Sequence, residues 1–297
     1  MKIVITGSLG HISKPLAEEL IKKDHSVTVI SSNAEKKTAI EALGATAAIG
    51  SIEDVDFLTT TFTGADAVYC MEPPPNFFDQ SLDILTHIIQ LAKNYEQAIL
   101  QADVKHVVHL SSIGAHRDNG VGMLSFHHAA EGIFNQLPED VSITFVRPVG
   151  FYYNLFSFIG GIKSQGAIFS NYGGDEKEPW VSPKDIAEVV AEEIIQTGNG
   201  RKIRYIASDE VSPNEVASIL GEAIGKPDLK WVEITDEQLL QAMSSFGMNP
   251  NIVKGLVDMN ASRRNGILYE DYFKHKPTLG KVKLKDFAKE FAAAYEA

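Results

Sequence analysis

The chain of 297 residues has a single cysteine, Cys70. One thiol excludes an intramolecular disulfide and any multi-cysteine metal site. Its neighbours Val68 and Tyr69 put it in an apolar strand, where a thiol reads as buried and inert rather than nucleophilic. Basic residues are scarce: 27 Lys and Arg face 39 Asp and Glu, a net charge of −12. With no run of Lys or Arg, nucleic acid and anionic membrane surfaces are not expected partners. No apolar run approaches the roughly 18 residues of a membrane span, and no leader pattern opens the sequence. A cytoplasmic location is the default expectation. The nine histidines show no His-x-x-x-His or His-Glu-x-x-His spacing, so no metal is expected. His106 and His109 lie three apart on an expected strand, face opposite sides and cannot share an ion. A Gly-x-Ser-x-Gly nucleophile turn is absent.

What remains is an ordinary globular composition, 44% hydrophobic and 22% charged, in a chain long enough for a large core plus a small lobe. Its most informative stretch runs from Lys2 to Ser13. A β-branched strand enters a turn of pattern Gly-x-x-Gly-x-x-Ser and then a helix from about His11 to Lys23. Gly7 can take a positive φ, and Gly10 carries no Cβ to hold a ligand off the backbone. The helix aims its free N–H groups and positive dipole end at the turn, which suits a pyrophosphate. Ser13 stands where a third glycine would permit close helix–strand packing. The strand-turn-helix setting supports a dinucleotide-binding turn over a βα turn whose glycines serve geometry alone.

Strands alternate with helices through the first half. Strands are expected at 2–6, 26–31, 45–50, 67–71, 106–111 and 142–147, with helices at 35–43, 55–61, 77–101 and 124–137. Near-continuous apolar strands between helices indicate a doubly wound parallel sheet, with ligand at the strands' carboxyl ends. After Arg147-Pro148 the rhythm changes. A helix is expected over Pro183–Thr197, a strand over 201–207, a helix over 213–224 and a strand over 230–234. From Asp236 the chain reads as largely helical, closing with a helix over 284–295. Residues 1–150 form the expected nucleotide-binding domain, to which a segment at about 180–208 returns. Residues 151–297 form an interleaved, smaller and mostly helical substrate lobe.

The end of the second strand bears on cofactor choice. Ser31, Ser32 and Asn33, followed by Lys36 and Lys37, replace the carboxylate that binds the ribose 2′-OH of NAD. Hydroxyls, an amide and ammonium groups suit a 2′-phosphate, which favours NADP, although the lysines also fit a solvated helix start. Met71-Glu72-Pro73-Pro74-Pro75 offers either an apolar wall beside the nicotinamide ribose or a stiff surface loop. Ser111-Ser112-Ile113-Gly114-Ala115 ends the fifth strand, where a short-chain dehydrogenase carries a catalytic hydroxyl. The partner Tyr-x-x-x-Lys is missing from the next helix, which reads Ser125-Phe126-His127-His128-Ala129-Ala130-Glu131. His128 and Glu131 share a helix face, as a pH-responsive acid/base or as a structural clasp. His128 is therefore a catalytic candidate. Phe151, Tyr152, Tyr153, Phe156 and Phe158 offer rings for stacking on a flat ligand or for core packing.

With these motifs in order, the chain resembles the NmrA-like family of atypical short-chain dehydrogenases. The resemblance rests on 6–13, on Leu110–Ala115, on His128-Ala129-Ala130-Glu131 and on Arg147–Asn154. Asp185-Ile186-Ala187 and Lys276-Pro277-Thr278 ahead of a helix with Phe287 complete it. It implies an NAD(P)-binding Rossmann domain with a small substrate lobe, as in quinone and azo reductases, isoflavone-reductase-like enzymes and non-catalytic regulators. Ser32 and Asn33 stand where members often have arginine and asparagine, and Ser51 replaces a common aspartate.

The leading expectation is an NADPH-dependent reductase of a quinone-like or other flat small-molecule acceptor. Such a hydride transfer tolerates the missing dyad, because acceptor oxygens can take protons from water. Gly7, Ser8, Leu9, Gly10, His11 and Ile12 are the expected pyrophosphate set, and Ser31, Ser32, Asn33 and Lys37 the adenosine-ribose set. Met71, Pro73, Ser111, Pro148, Gly150 and Phe151 are expected near the nicotinamide. The competing expectation is a redox sensor that binds NADP(H) without turnover and acts through a protein partner. An apolar pocket over the nicotinamide would favour the enzyme. An isoflavone-reductase-like enzyme would need a lysine near the helix of His128, and there is none.

Overall fold

The computed structural model describes residues 1–196, 198 and 200–297. Its first half alternates β1 (Lys2–Ile5), α1 (Ser13–Lys22), β2 (Ser26–Ser31), α2 (Lys37–Ala42), β3 (Thr46–Ile49) and α3 (Val55–Phe62). Then come β4 (Ala67–Cys70), α4 (Ile84–Gln101), β5 (His106–Leu110), α5 (Ser125–Phe134) and β6 (Ser142–Pro148). These strands and β10 (Arg201–Ile206) form one seven-stranded parallel sheet, ordered β10-β6-β5-β4-β1-β2-β3. Strand order reverses between β1 and β4, which opens a crevice at their carboxyl ends in a Rossmann arrangement.

The period-two alternation of β1 divides the core. Ile3 and Ile5 face Leu16 and Leu20 of α1, together with Ile186 and Val190. Val4 faces the other side, where Val68, Cys70, Val107 and Phe145 meet Leu58 of α3, Tyr95 of α4 and Phe134 of α5. Covering both faces leaves β4 and β5 buried along their whole length. His106 and His109 do point to opposite faces. The first binds the Glu193 carbonyl at 2.9 Å, and the second stacks on Phe134.

The second half adds β7 (Gly150–Phe151), α6 (Ile159–Gln165), β8 (Ile168–Ser170), β9 (Glu178–Val181) and α7 (Pro183–Ile195), which leads into β10. It continues with β11 (Asp209–Val211), α8 (Pro213–Ala223), β12 (Trp231–Glu233), α9 (Asp236–Ser244), α10 (Pro250–Arg264), α11 (Glu270–Lys274) and α12 (Leu284–Glu296). Strands β11, β9 and β7 make a small sheet, and β12 pairs with β8. A separate core gathers Tyr152, Leu155, Trp180, Leu220, Trp231, Phe287 and Phe291.

Three differences from the sequence reading concern element bounds and the shortest strands. The helix expected from Phe77 begins at Ile84, because Asn76 and Asp79 turn the preceding chain through bonds to the N–H groups of Phe78 and Ser81. Asp83 then caps the helix by accepting from Thr86 N–H. The short strands β7, β8, β9 and β11 were not anticipated; at two to four residues they carry too little periodicity to read. The helix expected to end at Thr197 is helical through Ile195; Thr197 lies outside the described residues.

Candidate functional site

The β1–α1 turn is built from backbone rather than side chains. Gly7 has φ +87° and Ser8 φ +54°, so Ser8 also takes the left-handed conformation that Gly7 was expected to need. A Cβ on Gly7 would lie 2.5 Å from Ser13 Oγ, which instead donates to the Thr6 carbonyl at 2.8 Å. Ser13 thus does the close-packing work of a third glycine with its own hydrogen bond satisfied. Helix α1 starts without a side-chain cap, and the N–H groups of His11, Ile12 and Ser13 find no acceptor among the described residues. Unpaired donors at a helix N-terminus beside a glycine turn fit an anionic diphosphate. Leu9 packs on the core under the turn, while the His11 ring stacks on Tyr153 at 4.8 Å.

At the end of β2, Ser8 Oγ donates to Ser31 Oγ at 2.9 Å, and Ser31 Oγ accepts from Asn33 N–H. Asn33 in turn accepts from Glu35 N–H. The turn and the β2 end are therefore one hydrogen-bonded unit. Ser32 and Lys37 are exposed, and Lys37 Nζ stands 4.0 Å from Glu41. That loose exposed pair holds Lys37 weakly and leaves it available to an incoming phosphate.

Beside the turn lies a cavity of about 250 Å³ at the carboxyl ends of β4, β5 and β6. Its lining brings together Ile12, Met71, Pro73, Ser111, Gly150 and Phe151 of the expected set. Met71 is fixed by its N–H, which donates to Thr6 Oγ1, and by its carbonyl, which accepts from Tyr95 OH. Pro148 lies behind this wall, its carbonyl accepting from Ile113 N–H, and Val149 fronts the cavity. Of the aromatic cluster, Phe151 and Tyr153 line the cavity, whereas Tyr152, Phe156 and Phe158 pack into the separate core.

His128 and Glu131, which share a face of α5, bond to different partners. His128 is exposed outside the cavity and donates from Nδ1 to the Ala115 carbonyl at 3.0 Å, a clasp on the loop after β5. Glu131 is buried and binds Arg147 at 2.6 and 2.9 Å. It also accepts from Ser111 Oγ at 2.5 Å. The hydroxyl at the short-chain-dehydrogenase position is thereby committed to a carboxylate, not offered to a ligand. Arg147 stands 16 residues further on, in β6, the strand that follows α5, and packing of α5 on the sheet brings the two side chains together.

Among the lining residues outside the expected set, His127, Arg263 and Tyr269 carry polar groups, and Glu72 of the Met71–Pro75 stretch joins them. His127 lies in phase with Ala130, Glu131 and Phe134 on the inward stripe of α5, so helix periodicity contained the signal. Burial lowers its pKa to about 3, and its Nδ1 has no partner among the described residues. Glu72 holds His109 Nε2 at 3.0 Å, with both side chains sealed from solvent. Arg263 and Tyr269 arrive from α10 and the turn after it, and no local pattern marks them. Burial pushes Tyr153 up to about 12, so its phenol stays protonated, and pushes the Cys70 thiol up as well, in keeping with an inert role.

A parallel sheet with its glycine turn and cavity at the switch point defines a Rossmann-type nucleotide-binding fold. The chain belongs to the NmrA-like family, whose model matches residues 1–270. It is 25% identical over 260 residues to the NAD(P)H azoreductase of Xenophilus azovorans, covering 87% of this chain and 86% of that one. It is also 25% identical over 235 residues to a Streptomyces griseus (4-alkanoyl-5-oxo-2,5-dihydrofuran-3-yl)methyl phosphate reductase, covering 78% and 77%. Among solved structures, the Escherichia coli NADPH-dependent quinone oxidoreductase superposes with a TM-score of 0.78 at 20% identity, covering 97% of this chain and 98% of that one. The Citrobacter triphenylmethane reductase superposes at 0.77 with 21% identity, covering 99% and 100%. Among the described residues no helix is long and apolar enough to cross a membrane.

Proposed function

We propose that this protein is an NADPH-dependent reductase that delivers hydride to a flat, quinone-like or azo-like acceptor. The carrying observation is the largely apolar cavity of about 250 Å³, just below the usual range of ligand-site volumes (roughly 300 Å³ upward). It opens directly beside the glycine turn. The quinone, azo and triphenylmethane reductases named above support the same reading. When bound, NADPH supplies the hydride. The turn at Gly7, Ser8, Leu9, Gly10, His11 and Ile12 holds the pyrophosphate, and Ser31, Ser32, Asn33 and Lys37 hold the adenosine ribose and its 2′-phosphate. Met71, Pro73, Ser111, Gly150 and Phe151 wall the nicotinamide side, with Pro148 supporting them from behind.

Residues 1–150 then carry the cofactor and residues 151–297 close the acceptor side, with about 180–208 returning to the sheet. His127 and Tyr153 are neutral near pH 7, so these two side chains present no charge to the acceptor ring. Protons reach the reduced acceptor from solvent, which spares the site a Tyr-Lys dyad. A steady-state panel of quinones, azo dyes and triphenylmethane dyes, scored by NADPH consumption, tests this. Turnover with a flat acceptor is expected. Tight NADPH binding with no turnover across the panel would replace the reductase by a sensor.

A further inference from the structure

The acceptor cavity has a cation on its wall whose hydrogen-bonding capacity is only partly used. We infer that Arg263 anchors an anionic oxygen, a carboxylate or sulfonate, carried by the flat acceptor; this names a substrate class for the proposed reductase and rests on that reading. Arg263 Nε and Nη2 donate to Glu178 at 3.0 and 2.5 Å. Tyr269 OH donates to the same carboxylate at 2.7 Å. The guanidinium carbon lies 4.1 Å from the Tyr172 ring centroid and 4.8 Å from that of Trp180. Clamped at one edge and stacked on two rings, the side chain has a single orientation and is 10% exposed. Nη1 is the exception: it has no acceptor among the described residues, yet it is not sealed from solvent.

Arg263 and Tyr269 both border the cavity, and no other lysine or arginine does among the described residues. A preformed guanidinium with one free amino edge needs no reorganisation to receive an oxyanion. The chain's net charge of −12 repels anions at long range, so any preference for an anionic acceptor must arise locally. Phe151 and Tyr153 supply the apolar surface for the ring that carries the anion.

The test compares 1,4-naphthoquinone with its 2-sulfonate as acceptors for the whole protein. The sulfonate is expected to show a KM about tenfold lower, the worth of one charge-assisted hydrogen bond. Removing Arg263 alone would strand a buried carboxylate and unfold the site. The variant is therefore Glu178→Gln with Arg263→Met, checked by its melting curve, and it should abolish the difference between the two quinones. Equal KM values in the parent protein, or a difference that survives in the double variant, would overturn the anchor. So would a rise in the NADPH KM that is the same with both acceptors. If neither quinone is reduced, the reductase reading falls. The anchor is then judged by direct binding of the two compounds, where the same tenfold difference supports it and equal affinity overturns it.

Discussion

Gly10 and Lys37 separate the two ends of the proposed cofactor site. A Cβ on Gly10 would meet only the Gly7 carbonyl, at 3.0 Å, and the residue needs no positive φ. Gly10→Ala should therefore leave the melting temperature within a few degrees while weakening NADPH binding by about tenfold, read by fluorescence titration. Lys37→Ala should raise the KM for NADPH about fivefold and leave that for NADH nearly unchanged, the worth of one exposed charge contact. His127 bears on stability instead. Its folded pKa of about 3 lies below the unfolded value of 6.5, so the unfolded chain binds more protons between them. Stability is full above the unfolded value and is lost as pH falls through that window. His127→Asn should flatten this part of the curve of denaturation midpoint against pH. The sequence made Gly7, Gly10 and Ser31 legible because strand, turn and helix are contiguous there. It did not pair Glu131 with Arg147, because that partner lies on the following strand, β6, and the contact forms only when α5 packs on the sheet.

At the scale of elements, α10 shapes the acceptor side through one glycine. Gly122 has φ +58°, and a Cβ there would collide with the Gly255 carbonyl and the Met259 backbone. That close approach seats Met123 against α10 and brings Met259 and Arg263 to the cavity wall. Gly122→Ala should cost about 1–3 kcal/mol by overpacking, measured by chemical denaturation. It should raise the acceptor KM more than the NADPH KM. The six early strands and their helices were readable because apolar runs of strand length alternate with helical stripes such as Ile88, Leu91, Ala92, Tyr95 and Ile99. The segment 77–83 was not, since its apolar residues precede a capped helix whose start is set by side-chain turns.

For the whole molecule, Arg147 is the tie between layers. From β6 it binds Glu131 of α5, Tyr205 OH of β10 at 3.1 Å and Asp271 of α11 at 3.4 Å. Desolvation opposes the charge of a buried guanidinium, and the Glu131 carboxylate more than offsets it, leaving the arginine pKa raised. Glu131→Ala should cost about 3–5 kcal/mol, because it strands a buried charge; a denaturant series would show this as a lower midpoint. No run of residues announces this network, which exists only once the sheet has assembled. The assembled sheet places the β1–α1 glycine turn and an apolar cavity side by side, and that adjacency is the basis for reading the protein as a reductase. The most direct measurement is a single turnover: the protein is loaded with one equivalent of NADPH, mixed with a flat quinone, and followed at the reduced-nicotinamide band. Loss of that band, dependent on both protein and quinone and slowed by Gly10→Ala at limiting NADPH, is the expected result. Bound NADPH that persists unoxidised in the presence of quinone would contradict it.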